Sequence, residues 1–343
     1  MSGSDTAATR VERARHAQAA WGQLTVHARS RKLERLRHTI AANIDRIVAT
    51  ISDEVGKTPL DTLTGDVMVT LEQLRFYEGN AAKILRKRSV GKPPFFFTGA
   101  RFAESLGPHG VALIFAPWNY PVQLAVVPMA TALFAGNAVL LKCSERAPRT
   151  AELIDLLCKE AELPEGLVQV SCEAGDAASA LIDARPDFIF FTGSTRIGRE
   201  VAKKAAGYLI PTALELGGKD ACLVFASCDL ARSVEGAVYA AFSNAGLVCV
   251  GAKRMYVEQP IYQEFLLRLV ERAGTLRIGT TVDSDFGNPV FASVRELLRE
   301  QVEDAVAHGA QLHAAWERDA NVLPPLVLTD VPEIGRASCR ERV

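Results

Sequence analysis

The chain has 343 residues, 48% of them apolar and 23% charged, with a formal net charge of -1. That is more chain than one hydrophobic core organises, so two domains or a domain and a half are expected, and the near-neutral balance speaks against a nucleic-acid partner. Its seven cysteines (Cys143, Cys158, Cys172, Cys222, Cys228, Cys249, Cys339) are odd in number and never spaced CxxC, which points to no disulfide framework and no metal site and fits a reducing cytoplasm.

The opening MSGSDTAATRVERARHAQAAW lacks an apolar h-region and so does not read as a secretory signal. Residues 8 to about 86 carry helical periodicity, with Leu33, Leu36, Ile40, Ile44 and Ile47 at spacings of three and four. RKRSVGKPPFFFTGARFAESLGPHG then brings glycine, proline and a phenylalanine triplet, a shift that predicts an extended hairpin or crossing arm. From residue 111 short apolar strands alternate with helices: VALIF, a helix from about 121, AVLLK, a helix over TAELIDLLCKEAEL, LVQV, a helix over DAASALIDA, DFIFF, a helix over RIGREVAKKAA, and TALEL. Five such strands predict an α/β fold with a doubly wound parallel sheet, covered on both faces. The apolar run 111–142 is interrupted by Pro117, Asn119, Pro121 and Pro128, so it reads as strand, loop, helix and strand instead of a membrane span, and no membrane partner is expected.

In a sheet of this kind ligands sit at the carboxyl ends of the strands, and the polar exceptions fall in the loops that follow them. APWNYP follows the first strand, CSE the second, TGSTRIG the fourth and GGK the fifth. TGSTRIG opens a helix, so it is either an anion-binding turn or a plain strand-to-helix turn capped by Ser194 or Thr195. Asn119 is either an ordinary turn amide or a rigidly held donor for developing negative charge. Glu215, set among apolar residues, is expected to be buried, and then either paired or raised in pKa as a general base. Lys142 and Glu145 read first as an exposed surface pair. Cys249, in SNAGLVCVGAKR, is either a small buried apolar filler or a nucleophile.

Taken together and in order, PWNYP, LLKCSE, FTGSTRIG, LELGGK and FSNAGLVC resemble the aldehyde dehydrogenase superfamily, over about residues 10 to 330. The resemblance implies a Rossmann-type domain over 1–85 and 107–220, an oligomerisation arm over 86–106, and a catalytic domain from 221 to 334. It implies Cys249 as nucleophile, Glu215 as general base, and Asn119 with the Cys249 backbone N–H as oxyanion hole. Lys142 and Glu145 would hold the adenosine ribose, Gly193 and Ser194 the pyrophosphate, and Trp118, Leu216 and Gly217 would line the cofactor cleft. The implied reaction is oxidation of an aldehyde to a carboxylic acid with NAD, or NADP, in a homo-oligomeric (dimer or tetramer) cytoplasmic enzyme.

Two departures stand beside this likeness. The family commonly has Gln where this chain has Leu247, and the EEIFGP-type motif that follows in the family is absent. The stretch 335–343, GRASCRERV, has no apolar period and reads as a non-native tail. The expectation is therefore a catalytic domain cut short, and a chain that is inactive by itself. The competing readings are an acylating, coenzyme A-dependent aldehyde dehydrogenase, against which Glu215 argues, and an inactive nucleotide-binding fragment.

Overall fold

Threonine caps begin the first helices. In the computed structural model, which describes residues 6–91, 94–97, 99–288, 291–313, 322 and 324–332, the Thr6 side chain accepts from the Thr9 N–H at the start of α1 (Ala7–Gln23), and Thr25 accepts from Ala28 at the start of α2 (Val26–Ala42). The apolar period of Leu33, Leu36 and Ile40 ends at Asn43, whose N–H donates to the Ile40 carbonyl; α3 (Ile44–Val55) starts afresh. Thr58 caps the single turn α4 (Pro59–Asp61), which runs through a π-helical stretch, Thr62–Met68, into α5 (Val69–Ile84). The predicted hairpin follows: β1 (Arg88–Ser89) pairs antiparallel with β2 (Ala103–Glu104).

The five strands expected from the sequence form one parallel sheet. β3 (Val111–Phe115), α6 (Gln123–Phe134), β4 (Ala138–Lys142), α7 (Pro148–Glu160), β5 (Val168–Ser171), α8 (Gly175–Asp183), β6 (Phe188–Thr192), α9 (Thr195–Gly207) and β7 (Thr212–Glu215) alternate along the chain. The strand order is β5-β4-β3-β6-β7. Every residue of β3 and β4 is buried, because helices cover both faces, and this explains their unbroken apolar runs. Trp21 of α1 donates from Nε1 to the Leu133 carbonyl (2.9 Å), and buried Arg29 of α2 donates from Nε to that of Phe134 (3.0 Å), so the α6 C-terminus is satisfied by side chains. The order reverses between β3 and β6, which makes the loops after these two strands flank the topological switch point.

Beyond β7, β8 (Asp220–Val224) pairs in parallel with β9 (Ala252–Val257), the two being joined through α10 (Leu230–Phe242). With α11 (Tyr262–Gly274) they enclose a separate core of Val224, Val234, Val238, Phe265 and Leu269. α12 (Ala292–Ala307) and a short antiparallel pair, β10 (Gln311–Leu312) with β11 (Leu328–Thr329), follow.

The chain divides into two compact units: Met1–Ile47, Gly65–Thr192 and Gly198–Glu215 form the first, and Val48–Thr64, Gly193–Ile197 and Leu216–Val343 the second. Residues 48–64, which the sequence reading grouped with the first domain, cluster with the second. There Gly287 approaches Gly56 so closely that a Cβ on it would stand 2.1 Å from the Gly56 carbonyl oxygen. The 335–343 tail lies outside the described residues.

Candidate functional site

Lys142 is the last residue of β4, paired with Phe115 on one side and Ser171 on the other. It is 8% exposed, so the exposed-pair reading does not hold for it: a central strand carries the ammonium inside. The charge is met by Glu145, Nζ to Oε2 at 2.8 Å. Partial burial alone would raise the Glu145 carboxyl; the hydrogen bond from Lys142, its backbone hydrogen bond, and the charges of Lys142 and Arg146 outweigh it and hold the group below its ordinary value. The Arg146 guanidinium lies 5.7 Å from the centroid of the Trp118 ring, which ties the loop after β4 to the loop after β3.

That loop holds Asn119, half-buried, just before the buried pair Pro121 and Val122. Its far end is fixed from outside. Asp66, fully buried on the π-helical stretch, accepts through Oδ1 from the backbone N–H groups of Val122 (3.0 Å) and Gln123 (3.1 Å) at the head of α6. Its neighbour Gly65 lies against Tyr120, where a Cβ would stand 2.5 Å from Cε1. Sequence reasoning missed both residues, which are far from PWNYP in the chain and match no local motif.

Glu215 pairs with Thr192 on the last rung between β6 and β7. It is exposed, contrary to the expectation of burial among apolar residues, because β7 is the sheet edge and Glu215 its final residue. Gly193 follows Thr192 directly, and the Ser194 hydroxyl accepts from the Ile197 N–H at 3.4 Å, a long cap at the start of α9. The capped-turn reading and an anion-binding turn remain compatible, since the cap uses one of the N–H groups that the first helical turn leaves without an intrahelical partner. Leu216 and Gly217 are half-buried.

The segment carrying Cys249 belongs to the second unit and has an unusual backbone. After α10, three successive residues adopt left-handed φ: Asn244 (50°), Ala245 (55°) and Gly246 (71°). Only glycine takes this conformation without cost, so Asn244 and Ala245 are held there by their surroundings. Asn244 is buried and donates from Nδ2 to the Leu247 carbonyl (3.4 Å), and the Leu247 N–H returns a bond to the Asn244 carbonyl (2.9 Å). Lys253 of β9 donates its ammonium to the Gly246 carbonyl, a contact no spacing rule suggested. A turn closed by Gly251 N–H to the Val248 carbonyl (3.2 Å) then presents Cys249. Gly218 lies beside it: a Cβ there would be 3.5 Å from the Cys249 carbonyl oxygen.

Among the six described cysteines Cys249 is the one classed as exposed; Cys143 and Cys158 are buried and the others intermediate. Burial pushes the Cys158 thiol up to about 12, and the nearby Asp155 and Cys143 add to this, so that sulfur stays protonated and inert. The filler reading therefore suits Cys158 and fails for Cys249. Cys339 lies outside the described residues. Of the sequence-nominated residues, Trp118, Asn119, Lys142, Glu145 and Glu215 fall in the first unit, and Gly193, Ser194, Leu216, Gly217 and Cys249 in the second.

The profile of the Aldehyde dehydrogenase family matches residues 1–342. The chain is 41% identical over 321 residues to a 4,4'-diapolycopene aldehyde oxidase of Methylomonas sp, covering 94% of this chain and 61% of that protein. It is 31% identical over 320 residues to a 4,4'-diapolycopene-4,4'-dial dehydrogenase of Cytobacillus firmus, covering 90% of this chain and 68% of that one. Among solved structures, the NAD+ complex of an aldehyde dehydrogenase from Bacillus cereus superposes with a TM-score of 0.89 at 26% identity, covering 96% of this chain and 68% of that one.

Proposed function

The chain belongs to the aldehyde dehydrogenase family, and from that premise we propose that the protein carrying it oxidises an aldehyde to a carboxylic acid through a covalent intermediate on Cys249. Cys249 carries this reading: it is the exposed thiol among the described cysteines, and it lies three residues beyond a run held in left-handed conformation, Asn244 to Gly246, the kind of stored strain that gathers at functional sites.

In the proposed reaction the Cys249 thiolate adds to the aldehyde carbon, forming a C–S bond and a tetrahedral oxyanion. The Asn119 amide and the Cys249 N–H donate to that oxygen. NAD, where bound, would supply the hydride acceptor that lets the Cys249 adduct collapse to a thioester. Glu215 then takes a proton from water, whose oxygen attacks the thioester carbon. The C–S bond breaks, the acid departs and the thiolate is restored. The exposure of Glu215 at a strand end supports this last role, because it leaves the carboxylate open to water, and hydrolysis is favoured over acyl transfer to coenzyme A.

The donor set at the sheet's carboxyl edge fits the dinucleotide. Lys142 offers an ammonium and Glu145 a carboxylate held in its charged form, a donor and acceptor suited to vicinal ribose hydroxyls. Gly193 and Ser194 would offer backbone N–H groups to the pyrophosphate, with Trp118, Leu216 and Gly217 lining the cleft. A carboxylate at Glu145 disfavours a 2'-phosphate, so NAD is proposed ahead of NADP. The substrate we propose is a diapolycopene-type aldehyde, a long hydrocarbon with a terminal carbonyl, on the strength of the two relatives that bear that name.

Mass spectrometry of a Glu215→Gln variant incubated with aldehyde and NAD+ tests the scheme. An acyl adduct on the peptide containing Cys249, with turnover stalled after one NADH per site, is the expected outcome; undiminished turnover, or an adduct on another cysteine, overturns it.

A further inference from the structure

Lys253 has no step in the proposed reaction, yet the loop that carries Cys249 folds around its ammonium. Two glycines, Gly246 and Gly251, bracket that loop. A Cβ on Gly251 would stand 3.2 Å from Lys253 Nζ, and one on Gly246 would stand 3.3 Å from it. One charged group therefore occupies the space that both glycines leave. The same ammonium donates to the Gly246 carbonyl. Helix α10 also ends here: the Cβ position on Gly246 is 3.2 Å from the Ala241 carbonyl oxygen, and that on Gly251 is 3.4 Å from the Ala240 carbonyl oxygen. Ala240 and Ala241 belong to the last turn of α10, the negative end of the helix dipole. A cation is favoured at such a place, and Lys253 stands there half-buried.

We propose that Lys253 is a positioning residue for Cys249, acting through the backbone of residues 246–251 and not on the substrate. Cys249 lies three residues beyond Gly246 and two before Gly251. Both ends of the loop meet one ammonium, so a shift of that group shifts the residue between them. The ammonium holds the Gly246 carbonyl at the close of a left-handed run that is unfavourable for Asn244 and Ala245; its removal lets the run relax. The gap also selects lysine over arginine. A compact ammonium fits between two glycines, whereas a guanidinium is a wider, planar fork. This inference deepens the proposed function and rests on Cys249 as nucleophile, but part of its test is independent of turnover.

Lys253→Met keeps the length of the side chain and removes the charge. In the protein carrying this chain it should lower kcat about a hundredfold, the effect of a ~1 Å displacement at a reacting group. KM for the aldehyde and for NAD+ should stay within about twofold of the parent, which a general loss of structure would not allow. Lys253→Arg keeps the charge and should recover at most about a tenth of the lost rate, because its fork does not enter the gap. Amide hydrogen exchange reads the loop directly. The Leu247 and Gly251 N–H groups, which donate to the Asn244 and Val248 carbonyls, should exchange at least ~10-fold faster in Lys253→Met, with β8 and α11 at parental rates. A kcat within about threefold of the parent, full rescue by arginine, or unchanged exchange at both amides overturns the proposal. Exchange that rises equally in β8 and α11 also overturns it, because Lys253 would then hold the fold and not the loop. A Cys249→Ala protein that keeps the parental rate would sink the nucleophile separately, since the exchange result still reports what the ammonium holds.

Discussion

The turn after β4 and the turn after α10 both carry a reactive polar group at the end of a regular element, and they are built in opposite ways. At Lys142 the sheet supplies a regular strand end, the ammonium is buried, and a carboxylate three residues on neutralises it. At Cys249 the chain departs from regular geometry over three residues and leaves the thiol exposed. The first arrangement is settled before a ligand arrives, as the proposed role in holding a cofactor requires. The second places backbone strain three residues before the proposed nucleophile, so the environment must be enforced by Asn244 and Lys253.

The largest expected effect breaks the comparison at the thiol. Cys249→Ala in the protein carrying this chain should lower aldehyde-dependent NADH formation by more than ~1000-fold, about 4 kcal/mol of transition-state stabilisation, with cofactor binding intact by fluorescence titration. Cys158→Ala should leave the rate within a factor of about two and instead lower the unfolding midpoint, since it removes a buried side chain at a cost of ~1 to 2 kcal/mol. If both variants lose activity alike, exposure does not distinguish the two sulfurs.

Next in size is the support of the Asn119 loop. Asp66→Ala strips the acceptor from two N–H groups at the head of α6 and should cost about 2 kcal/mol in denaturant unfolding. The rate should fall with little change in cofactor affinity. Asp66→Asn keeps a carbonyl oxygen in place and should recover more than half of both losses; equal damage from the two substitutions would mean that the side-chain volume and not the acceptor matters.

The strands were legible because burial on both faces leaves continuous apolar runs bounded by glycine and proline, and VALIF and AVLLK are observed at their expected limits. The hairpin was legible from the composition shift at residue 86. Asp66 was not, because a buried aspartate reads like any helical surface acid until the tertiary fold brings α6 to it. The burial of Lys142 and the exposure of Glu215 were both misjudged from local polarity. Central or edge position in the sheet decides them, and strand order is not written in either strand. Lys253 escaped for the same reason: its partner is a carbonyl on another element, and carbonyls carry no sequence signature.

A smaller effect sharpens the comparison at the strained turn. Gly246→Ala places a Cβ at a φ of 71°, 3.2 Å from the Ala241 carbonyl oxygen and 3.3 Å from the Lys253 Nζ. Left-handed backbone costs a non-glycine residue ~1 kcal/mol, so stability should drop by about that amount in urea titrations. Activity should fall further than this, because the left-handed run that ends at this residue leads into the Val248–Gly251 turn that presents Cys249. A variant as stable and active as the parent would show that the strain is not needed.

The smallest effect concerns the settled pair. The Glu145 carboxyl lies below its ordinary value in the folded chain, so the charged form is favoured by folding. The pair then contributes stability at pH above the unfolded carboxylate value of about 4.3, and loses it as pH falls through the lower folded value. Because the Glu145 side chain is 49% exposed, solvent screens the pair and the contribution is small. Glu145→Gln should therefore leave stability at neutral pH nearly unchanged and flatten the acid limb of the unfolding midpoint against pH. Lys142 stays buried in that variant without its carboxylate, so its ammonium should turn to the phosphate-bearing ligand instead. The ratio of kcat/KM for NAD+ over NADP+ should then fall several-fold, as the repulsion of a 2'-phosphate is removed while the Gln carbonyl still accepts from a ribose hydroxyl. An unchanged ratio, measured at low salt where screening is weakest, would remove Glu145 from cofactor selection and leave the pair as a purely structural neutralisation of Lys142.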